Sequence, residues 1–348
     1  MLVREGVPLA PLTTLRLGGP AARMVDVERE EDVAWAVCDA RDKGHGLLVL
    51  GGGSNLVVAD EGFPGLVARM AIKGVRVRRA EAHVLVDAAA GEDWDALVAR
   101  AVDEGWSGLE CLSGIPGLVG ATPIQNVGAY GHEISHVLTR VHAFDCQSSS
   151  RVALAPAECA FGYRTSTFRG TDRWIVTGVE LTLGVSRESA PVTYGELARA
   201  LGLAPGERAP LARVREVVLG LRRSKGMVVD PGDPESVSAG SFFVNPVLDG
   251  SALSDLQARA GERPPSFDAG DGRFKVAAAW LIEHAGFPKG WGQGRVGVSR
   301  KHALALVNRG GAETRELLAL ARTIREGVKS RFGVALEPEP VLVGGSWE

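Results

Sequence analysis

The chain has 348 residues and a formal net charge of -3; 45% of its residues are apolar and 23% are charged. This composition excludes a disordered chain and shows no global bias toward nucleic acid or membranes, and the length suits two or three domains. Glycine is in excess: 45 of the 348 residues are glycine, or about 13%, whereas the average usage is about 7%. This excess indicates many tight turns and sites lined by backbone.

The cysteines are scattered and show no C-x-x-C spacing, and the first six residues lack the apolar stretch of a signal peptide. No apolar run approaches the roughly 18 residues of a membrane span. We therefore expect a cytoplasmic protein with reduced thiols. The cysteines are Cys38, Cys111, Cys146 and Cys159.

Strands and helices alternate along the first 70 residues. Apolar spacing predicts a helix over residues 31–43, ended by Gly44, and then a strand over residues 47–50. Half-exposed strands are predicted at 75–78 and 83–86, a helix at 93–103, and further strands at 137–141 and 174–181. Helices follow at 211–222, 276–284 and 313–332, with strands at 303–307, 334–336 and 341–343 and a hinge over residues 226–238.

The most informative segment follows the strand at 47–50 and reads Leu50-Gly51-Gly52-Gly53-Ser54-Asn55. Consecutive glycines allow positive φ angles and close approach of a ligand, and successive N–H groups in such a turn can bind an anion. The segment therefore predicts a phosphate cradle, with an ordinary hairpin turn as the alternative.

A second glycine-rich segment covers residues 113–131 and keeps apolar residues throughout, unlike a flexible linker. Two such segments suggest one extended cofactor with a phosphate end and a ring end.

Two formal motif matches lack the context that their chemistry needs. Residues 132–136 match H-E-x-x-H, but they follow the glycine-rich segment and precede a strand, whereas a zinc site needs a helix. Residues 292–297 match G-x-G-x-x-G, but a strand follows instead of a helix. No P-loop and no G-x-S-x-G motif is present. We expect no metal site.

Three further positions combine a reactive side chain with a constrained setting. Ser241 precedes two phenylalanines and Asn-Pro in a small-residue corner, although a lone serine in a turn is commonly a turn or capping residue. Arg164 lies among aromatic residues and could bind a carboxylate or merely stack. Glu337 and Glu339 lie between two apolar runs, where solvent-exposed acids are the commoner case.

Together these segments resemble the UDP-N-acetylenolpyruvoylglucosamine reductase family, flavoenzymes of bacterial peptidoglycan precursor synthesis. The match covers nearly the whole chain, and the branch it resembles carries a substrate-clamping tyrosine loop. Its anchors occur in the family's order at residues 13–21, 51–55, 113–131, 162–164, 193–197, 239–246 and 336–339.

The resemblance implies an α+β fold with a two-subdomain FAD-binding part of the FAD-linked oxidase type and a C-terminal α+β substrate domain. It places the first subdomain at residues 1–70, with 333–348 returning to it, the second at 71–225, and the substrate domain at 226–332. FAD is expected to bind non-covalently, NADPH to be the reductant and a UDP-sugar the substrate. No obligate protein partner is implied.

The resemblance also implies roles for individual residues. Gly52, Gly53, Ser54 and Asn55 would hold the diphosphate of FAD. The cofactor-binding residues that it implies in the second glycine-rich segment are Ser113, Gly114, Ile115, Pro116, Gly120, Gln125, Asn126, Gly128, Ala129 and Tyr130. Ser241 matches the proton donor, Arg164 a second catalytic position, and Glu339 the catalytic glutamate, with Glu337 as the fallback. Tyr194 matches the clamping tyrosine. The other expected substrate contacts are Tyr163, Lys225 and Asn245.

The sequence departs from the family pattern after Lys225, where residues 226–230 replace the Leu-Pro of many relatives. Two alternatives remain open. An FAD-linked oxidase of the same superfamily would often tether its flavin through His or Cys, and residues 50–60 contain neither. A non-catalytic nucleotide-binding module would explain Gly51 to Asn55 but not Ser241, Arg164 and Glu339 together.

Overall fold

The computed structural model describes residues 1–347 and has the mixed α+β composition expected from the sequence. Its helices are Glu30–Asp42 (α1), Trp94–Asp103 (α2), Gly195–Leu201 (α3), Leu211–Ser224 (α4), Gly250–Ala260 (α5), Ala278–His284 (α6) and Thr314–Phe332 (α7).

The strands confirm most of the predicted elements to within a few residues. In chain order they are Arg4–Pro8 (β1), Pro20–Val27 (β2), Leu47–Leu50 (β3), Leu56–Val58 (β4), Phe63–Met70 (β5), Val75–Arg79 (β6), His83–Ala89 (β7), Trp106–Ser107 (β8), Gly128–Ala129 (β9), His132–Glu133 (β10), Leu138–Asp145 (β11), Ser150–Leu154 (β12), Trp174–Val185 (β13), Ser238–Ser241 (β14), Val247–Asp249 (β15), Ser266–Asp268 (β16), Arg273–Val276 (β17), Val296–Val298 (β18), Ala305–Asn308 (β19) and Val341–Val343 (β20).

The chain forms two compact units, and the first comprises Met1–Val7, Ala22–Gly52 and Pro64–Arg223. It contains a four-stranded sheet in the order β1-β2-β5-β3 and a larger sheet in the order β12-β11-β13-β7-β6, with β8 paired to β13. Helix α1 packs its buried Val33, Ala36 and Ala40 in a core with residues of β2 and β5. Helix α2 buries Trp94, Leu97 and Val98 in the core of the larger sheet, as its apolar spacing requires.

The second unit comprises Pro8–Ala21, Gly53–Phe63 and the chain from Ser224 onward. It contains two antiparallel three-stranded sheets, β14-β19-β18 and β15-β17-β16, and a parallel pair between β4 and β20. Helix α7 supplies Leu317, Ile324 and Val328 to a core that also holds Phe242 and Phe243.

Strand pairing excludes the hairpin interpretation of the first glycine-rich segment. Strand β3 pairs in parallel with β5, whereas β4 pairs in parallel with β20. The strands on either side of the glycines thus belong to different sheets.

One predicted strand, at residues 334–336, is wrong. These residues are not in a strand, although Val334 and Leu336 are buried. The side chains of Val334 and Leu336 pack in the core of the second unit. The alternating apolar pattern therefore reflects burial of these side chains, and the segment does not form a strand.

Candidate active site

The first glycine-rich turn is made possible by two glycines that no larger residue could replace without movement. Gly53 has a φ of +62°, and a Cβ there would lie 2.0 Å from the carbonyl oxygen of Leu12. A Cβ on Gly52 would lie 2.7 Å from the Cα of Gly117. Gly52 therefore brings the end of β3 against the second glycine-rich segment, as a backbone-lined cofactor site requires.

Thr14 forms hydrogen bonds to two carbonyl oxygens of this turn. The N–H of Thr14 donates to the Gly53 oxygen at 3.2 Å, and the Thr14 hydroxyl donates to the Ser54 oxygen at 3.5 Å. Residues 1–347 contain no cis peptide bond, so the N–H groups of Ser54 and Asn55 point to the opposite side of their peptide planes. This alignment fits the diphosphate of a dinucleotide.

The second glycine-rich segment ends in a tight hairpin between β9 and β10. Tyr130 and Gly131 form its two-residue loop with φ angles of 50° and 81°, the signs that a type I′ turn requires. A Cβ on Gly128 would lie 2.8 Å from the side chain of Glu133, so the paired strands approach closely.

Asn126 is buried just before this hairpin and has a φ of 46°, which is uncommon for a residue other than glycine. Its Nδ2 donates to Glu133 Oε2 at 2.7 Å, and its Oδ1 accepts from the N–H of Ser135 at 3.2 Å. The glutamate and serine of the formal H-E-x-x-H match thus fix Asn126. They do not lie on an α-helix, and no metal-binding cluster occurs in residues 1–347.

Other residues predicted at the cofactor have clear packing roles. Buried Ser113 donates its hydroxyl to the carbonyl oxygen of Glu110 at 2.7 Å. A Cβ on Gly120 would lie 2.4 Å from Ala90 Cβ. Four further predicted residues of this segment are partly exposed: Ile115, Pro116, Gln125 and Ala129.

Arg164 lies against the same hairpin. It has a φ of 54° within a turn in which Gly162 and Thr165 exchange backbone hydrogen bonds. Its Nη2 donates to the carbonyl oxygen of Gly128 at 3.2 Å, and its Cζ lies 5.6 Å from the ring centroid of Tyr163. A guanidinium is thus positioned beside the predicted flavin-lining residues.

Tyr130 also contacts the predicted substrate clamp. Its ring meets that of Tyr194 edge to face, with centroids 5.6 Å apart. Burial raises the pKa of Tyr130 to about 12 and also raises the pKa of Tyr194. Both phenols are protonated at neutral pH and can donate hydrogen bonds, and the residue Tyr194 is 44% exposed.

Arg222 is a candidate that the sequence analysis missed. Burial lowers its pKa, while the charge interactions of Tyr130 and Asp95 raise it and that of Arg164 lowers it. All four groups therefore share one electrostatic environment in the first unit. The sequence feature that could have identified Arg222 is its spacing. Arg222 follows the buried Val218 by four residues and therefore lies on the inward face of α4.

In the second unit, Ser241 ends strand β14 at an irregular pairing. Gly240 has a φ of +74°, and the register with β19 shifts between Ser238 and Ser241. The next residue, Phe242, is fully buried and donates its N–H to the Leu304 oxygen at 2.7 Å. This anchor leaves Ser241 partly exposed on a rigid base.

The segment after Ser241 runs beside the two candidate glutamates. The N–H of Glu339 donates to the Phe242 oxygen at 2.9 Å, and the N–H of Val244 donates to the Glu337 oxygen at 2.9 Å. Glu339 is thus opposite the residue next to Ser241, whereas Glu337 lies further along and pairs with Arg325 at 3.5 Å with its side chain 70% exposed.

Asn55 reaches the same segment within the second unit. Its Nδ2 lies 3.5 Å from the carbonyl oxygen of Glu339, and its own oxygen accepts from the N–H of Val341 at 2.9 Å. The predicted phosphate turn and the predicted catalytic glutamate are therefore linked through the β4–β20 pair.

The remaining predicted substrate contacts also belong to the second unit. Asn245 Oδ1 accepts from the N–H of Ala278 at 2.9 Å, so part of this side chain holds the start of α6. Lys225 directly follows the end of α4 and is partly exposed. Arg164, Tyr163 and Tyr194 lie in the first unit.

Comparison with known families matches two parts of the chain. Residues 233–343 match the family described as UDP-N-acetylenolpyruvoylglucosamine reductase, C-terminal domain. Residues 21–154 match the family described as FAD binding domain.

Similar proteins match over almost the full length. The chain is 53% identical to UDP-N-acetylenolpyruvoylglucosamine reductase of Thermobifida fusca, with 98% of each protein covered. It is 51% identical to the protein of the same name from Streptomyces avermitilis, with 97% of this chain and 94% of the relative covered. Among solved structures, UDP-N-acetylenolpyruvylglucosamine reductase from Thermus caldophilus aligns with a TM-score of 0.67 at 28% identity, covering 98% of this chain and 100% of that chain.

None of the helices in residues 1–347 is both long enough and apolar enough to cross a bilayer.

Proposed function

The chain belongs to the UDP-N-acetylenolpyruvoylglucosamine reductase family, and from this premise we propose how its residues carry the reaction. It is an FAD-dependent oxidoreductase that reduces UDP-N-acetylglucosamine enolpyruvate to UDP-N-acetylmuramate in peptidoglycan precursor synthesis. We propose NADPH as the reductant and the cytoplasm as the compartment, where the four free thiols would remain reduced.

The residues present fit FAD. The N–H groups of Ser54 and Asn55 would hold the diphosphate, in a turn whose glycines let its backbone pack closely against that of Leu12 and Gly117. The hairpin that contains Tyr130 would line the ring end. No cysteine or histidine occurs at residues 50–60, so binding at this turn would be non-covalent.

Reduction of an enol ether needs a hydride at the terminal carbon and a proton at the carbon next to the carboxylate. FAD, when bound, supplies the hydride chemistry that side chains cannot provide. We assign the proton to the Ser241 hydroxyl. A hydroxyl is a weak acid, but the enolate-like carbon is a strong base, so this carbon can take a proton from the Ser241 hydroxyl.

Arg164 and Glu339 would act on the substrate carboxylate. Charge develops there as the double bond is reduced, and the Arg164 guanidinium, held by its bond to the Gly128 oxygen, would stabilise that charge. Glu339 would contribute as a protonated or hydrogen-bonded acid. Its ordered position opposite Phe242 supports it over the solvent-exposed Glu337.

Four side chains are proposed to bind the UDP-sugar. Tyr194 would donate its phenol proton to the diphosphate and cover the sugar with its ring, and its exposure leaves it free to change position. Lys225 would pair with the diphosphate as a cation. Tyr163 and Asn245 are the other proposed contacts.

The observation that carries this proposal is the backbone pairing of the Ser241–Val244 segment with the Glu337–Glu339 segment, which supports the assignment of Ser241 and Glu339 to one site. The test is NADPH oxidation by purified, FAD-loaded protein. We expect oxidation that depends on the enolpyruvyl sugar and a product heavier by two hydrogen atoms. An FAD-linked oxidase would instead produce hydrogen peroxide without the enolpyruvyl sugar, and UDP-N-acetylglucosamine alone serves as the control.

A further inference from the structure

Two residues in the first turn of helix α2 form hydrogen bonds with the second glycine-rich segment. The Trp94 N–H donates to the Gly117 oxygen at 3.1 Å, and the Trp94 indole Nε1 donates to the Leu112 oxygen at 3.1 Å. The carboxylate of Asp95 accepts from the Gly114 N–H at 2.6 Å. Three bonds from two adjacent residues thus fix the backbone between residues 112 and 117.

Asp95 has a second partner on a different element. Arg215 of α4 donates to its two carboxylate oxygens at 2.6 and 2.9 Å, with the arginine side chain 18% exposed and the aspartate 34% exposed. Burial alone would raise the pKa of Asp95, but the bonds from Arg215 and the Gly114 N–H lower it overall. The carboxylate is therefore ionised and bridges the glycine-rich segment to α4.

Helix α4 in turn supports the region of the proposed substrate clamp. Its Val214 and Val218 are buried in one cluster with Leu197 of α3, and Tyr130 packs against that cluster. Helix α3 begins directly after Tyr194. A shift of α4 would therefore disturb the packing on which the clamp and the flavin-lining hairpin both rest.

The same helix also carries Arg222 near its end. Arg222 follows Arg215 by seven residues, close to two helical turns, so both guanidinium groups lie on one face. Asp95 also contributes to the electrostatic environment of Arg222. Asp95 therefore bonds directly to the backbone of the cofactor segment and also interacts electrostatically with the partly exposed Arg222.

We propose that Asp95 is a positioning residue that couples FAD binding to UDP-sugar binding through Arg215 and helix α4. This inference rests on the proposed function, because it takes residues 113–131 as part of the FAD site and Tyr194 as the clamp. Binding of FAD would order Gly114 and the Asp95 carboxylate bonded to it. Because Asp95 also binds Arg215, FAD would in turn order helix α4, which supports the region of Tyr194. Coupling of this kind is reciprocal and typically changes affinities about 5-fold to 150-fold.

Three variants test the coupling: Asp95→Asn, Arg215→Met and the double variant. FAD affinity is measured by quenching of flavin fluorescence on the apoprotein, and KM and kcat for the UDP-sugar are measured at saturating FAD. Asp95→Asn should weaken FAD binding at least tenfold, since it removes charge-assisted bonds to two groups. Arg215→Met should raise the KM several-fold while kcat changes less than about twofold.

Arg215→Met should also weaken FAD binding, and the double variant should match Asp95→Asn in FAD affinity, because both residues act in one linkage. Arg213→Met is the matched control: it breaks a solvent-exposed pair with Glu216 on the same helix and should leave both quantities unchanged. If Asp95→Asn does not fold, exchange of the Gly114 amide in Arg215→Met replaces it, and faster exchange than in the parent supports the coupling.

Parent-like FAD affinity in Asp95→Asn, additive effects in the double variant, or unchanged Gly114 exchange would overturn the inference. Failure of the proposed function looks different. It would appear in the parent protein, as an apoprotein that does not bind FAD at all.

Discussion

Substitution of Gly53 by alanine tests whether the first glycine-rich turn holds the cofactor. A left-handed conformation costs a residue with a Cβ about 1–2 kcal/mol. At Gly53 the new Cβ would also lie 2.0 Å from the Leu12 oxygen, and relief of such overpacking costs a further ~1–3 kcal/mol. Because backbone must move, the N–H groups of Ser54 and Asn55 would shift as well.

Gly44→Ala is the matched control, since Gly44 has nearly the same φ, +64°, but a Cβ at this position would have no neighbour within 4 Å. Both variants should lose stability in chemical unfolding, Gly53→Ala by more. Only Gly53→Ala should weaken FAD binding, by at least tenfold if one charge-assisted hydrogen bond of about 1.5–3 kcal/mol is lost. Equal FAD affinities in fluorescence titrations of both variants would refute the cradle.

Three further outcomes follow from the site. Acid precipitation should release all FAD into the supernatant, and flavin left on the precipitated chain would contradict non-covalent binding. Tyr194→Phe should weaken UDP-sugar binding by about 1.5–3 kcal/mol while flavin reduction by NADPH stays normal; unchanged affinity in a binding titration would count against the clamp. Glu339→Gln should slow turnover ~10²-fold or more, whereas Glu337→Gln should change it less than about twofold because exposed ion pairs contribute little; the reverse order would make Glu337 the catalytic acid.

Local pattern was enough to predict most elements of the fold. The helix at Glu30–Asp42 and the strand at Leu47–Leu50 follow from apolar spacing and a terminating glycine, which are properties of neighbouring residues. Pairing partners could not be predicted in this way. Strand β4 pairs with β20, which lies near the other end of the chain, and nothing in either short sequence specifies the other.

The candidate site shows the same limit. The glycines at 51–53 and the resemblance named the residues, but local sequence could not separate Glu337 from Glu339, because the greater exposure of Glu337 arises from tertiary packing. Arg222 was missed because arginine at a helix end usually faces solvent, although its spacing from Val218 places it toward the inward face of α4. The left-handed conformations of Asn126, Tyr130 and Arg164 likewise depend on surrounding structure that compensates for their strain.

The most direct test of the central claim separates the two half-reactions in Ser241→Ala. Anaerobic stopped-flow absorbance would follow the flavin, first with NADPH and then with the enolpyruvyl sugar. Because Ser241 is assigned only the proton, bleaching by NADPH should proceed at nearly the parent rate, while reoxidation by the enolpyruvyl sugar should slow by ~10²–10⁴-fold. Ser241→Cys should recover part of that rate. Reoxidation of the alanine variant at the parent rate would contradict the account and leave Ser241 as a turn residue.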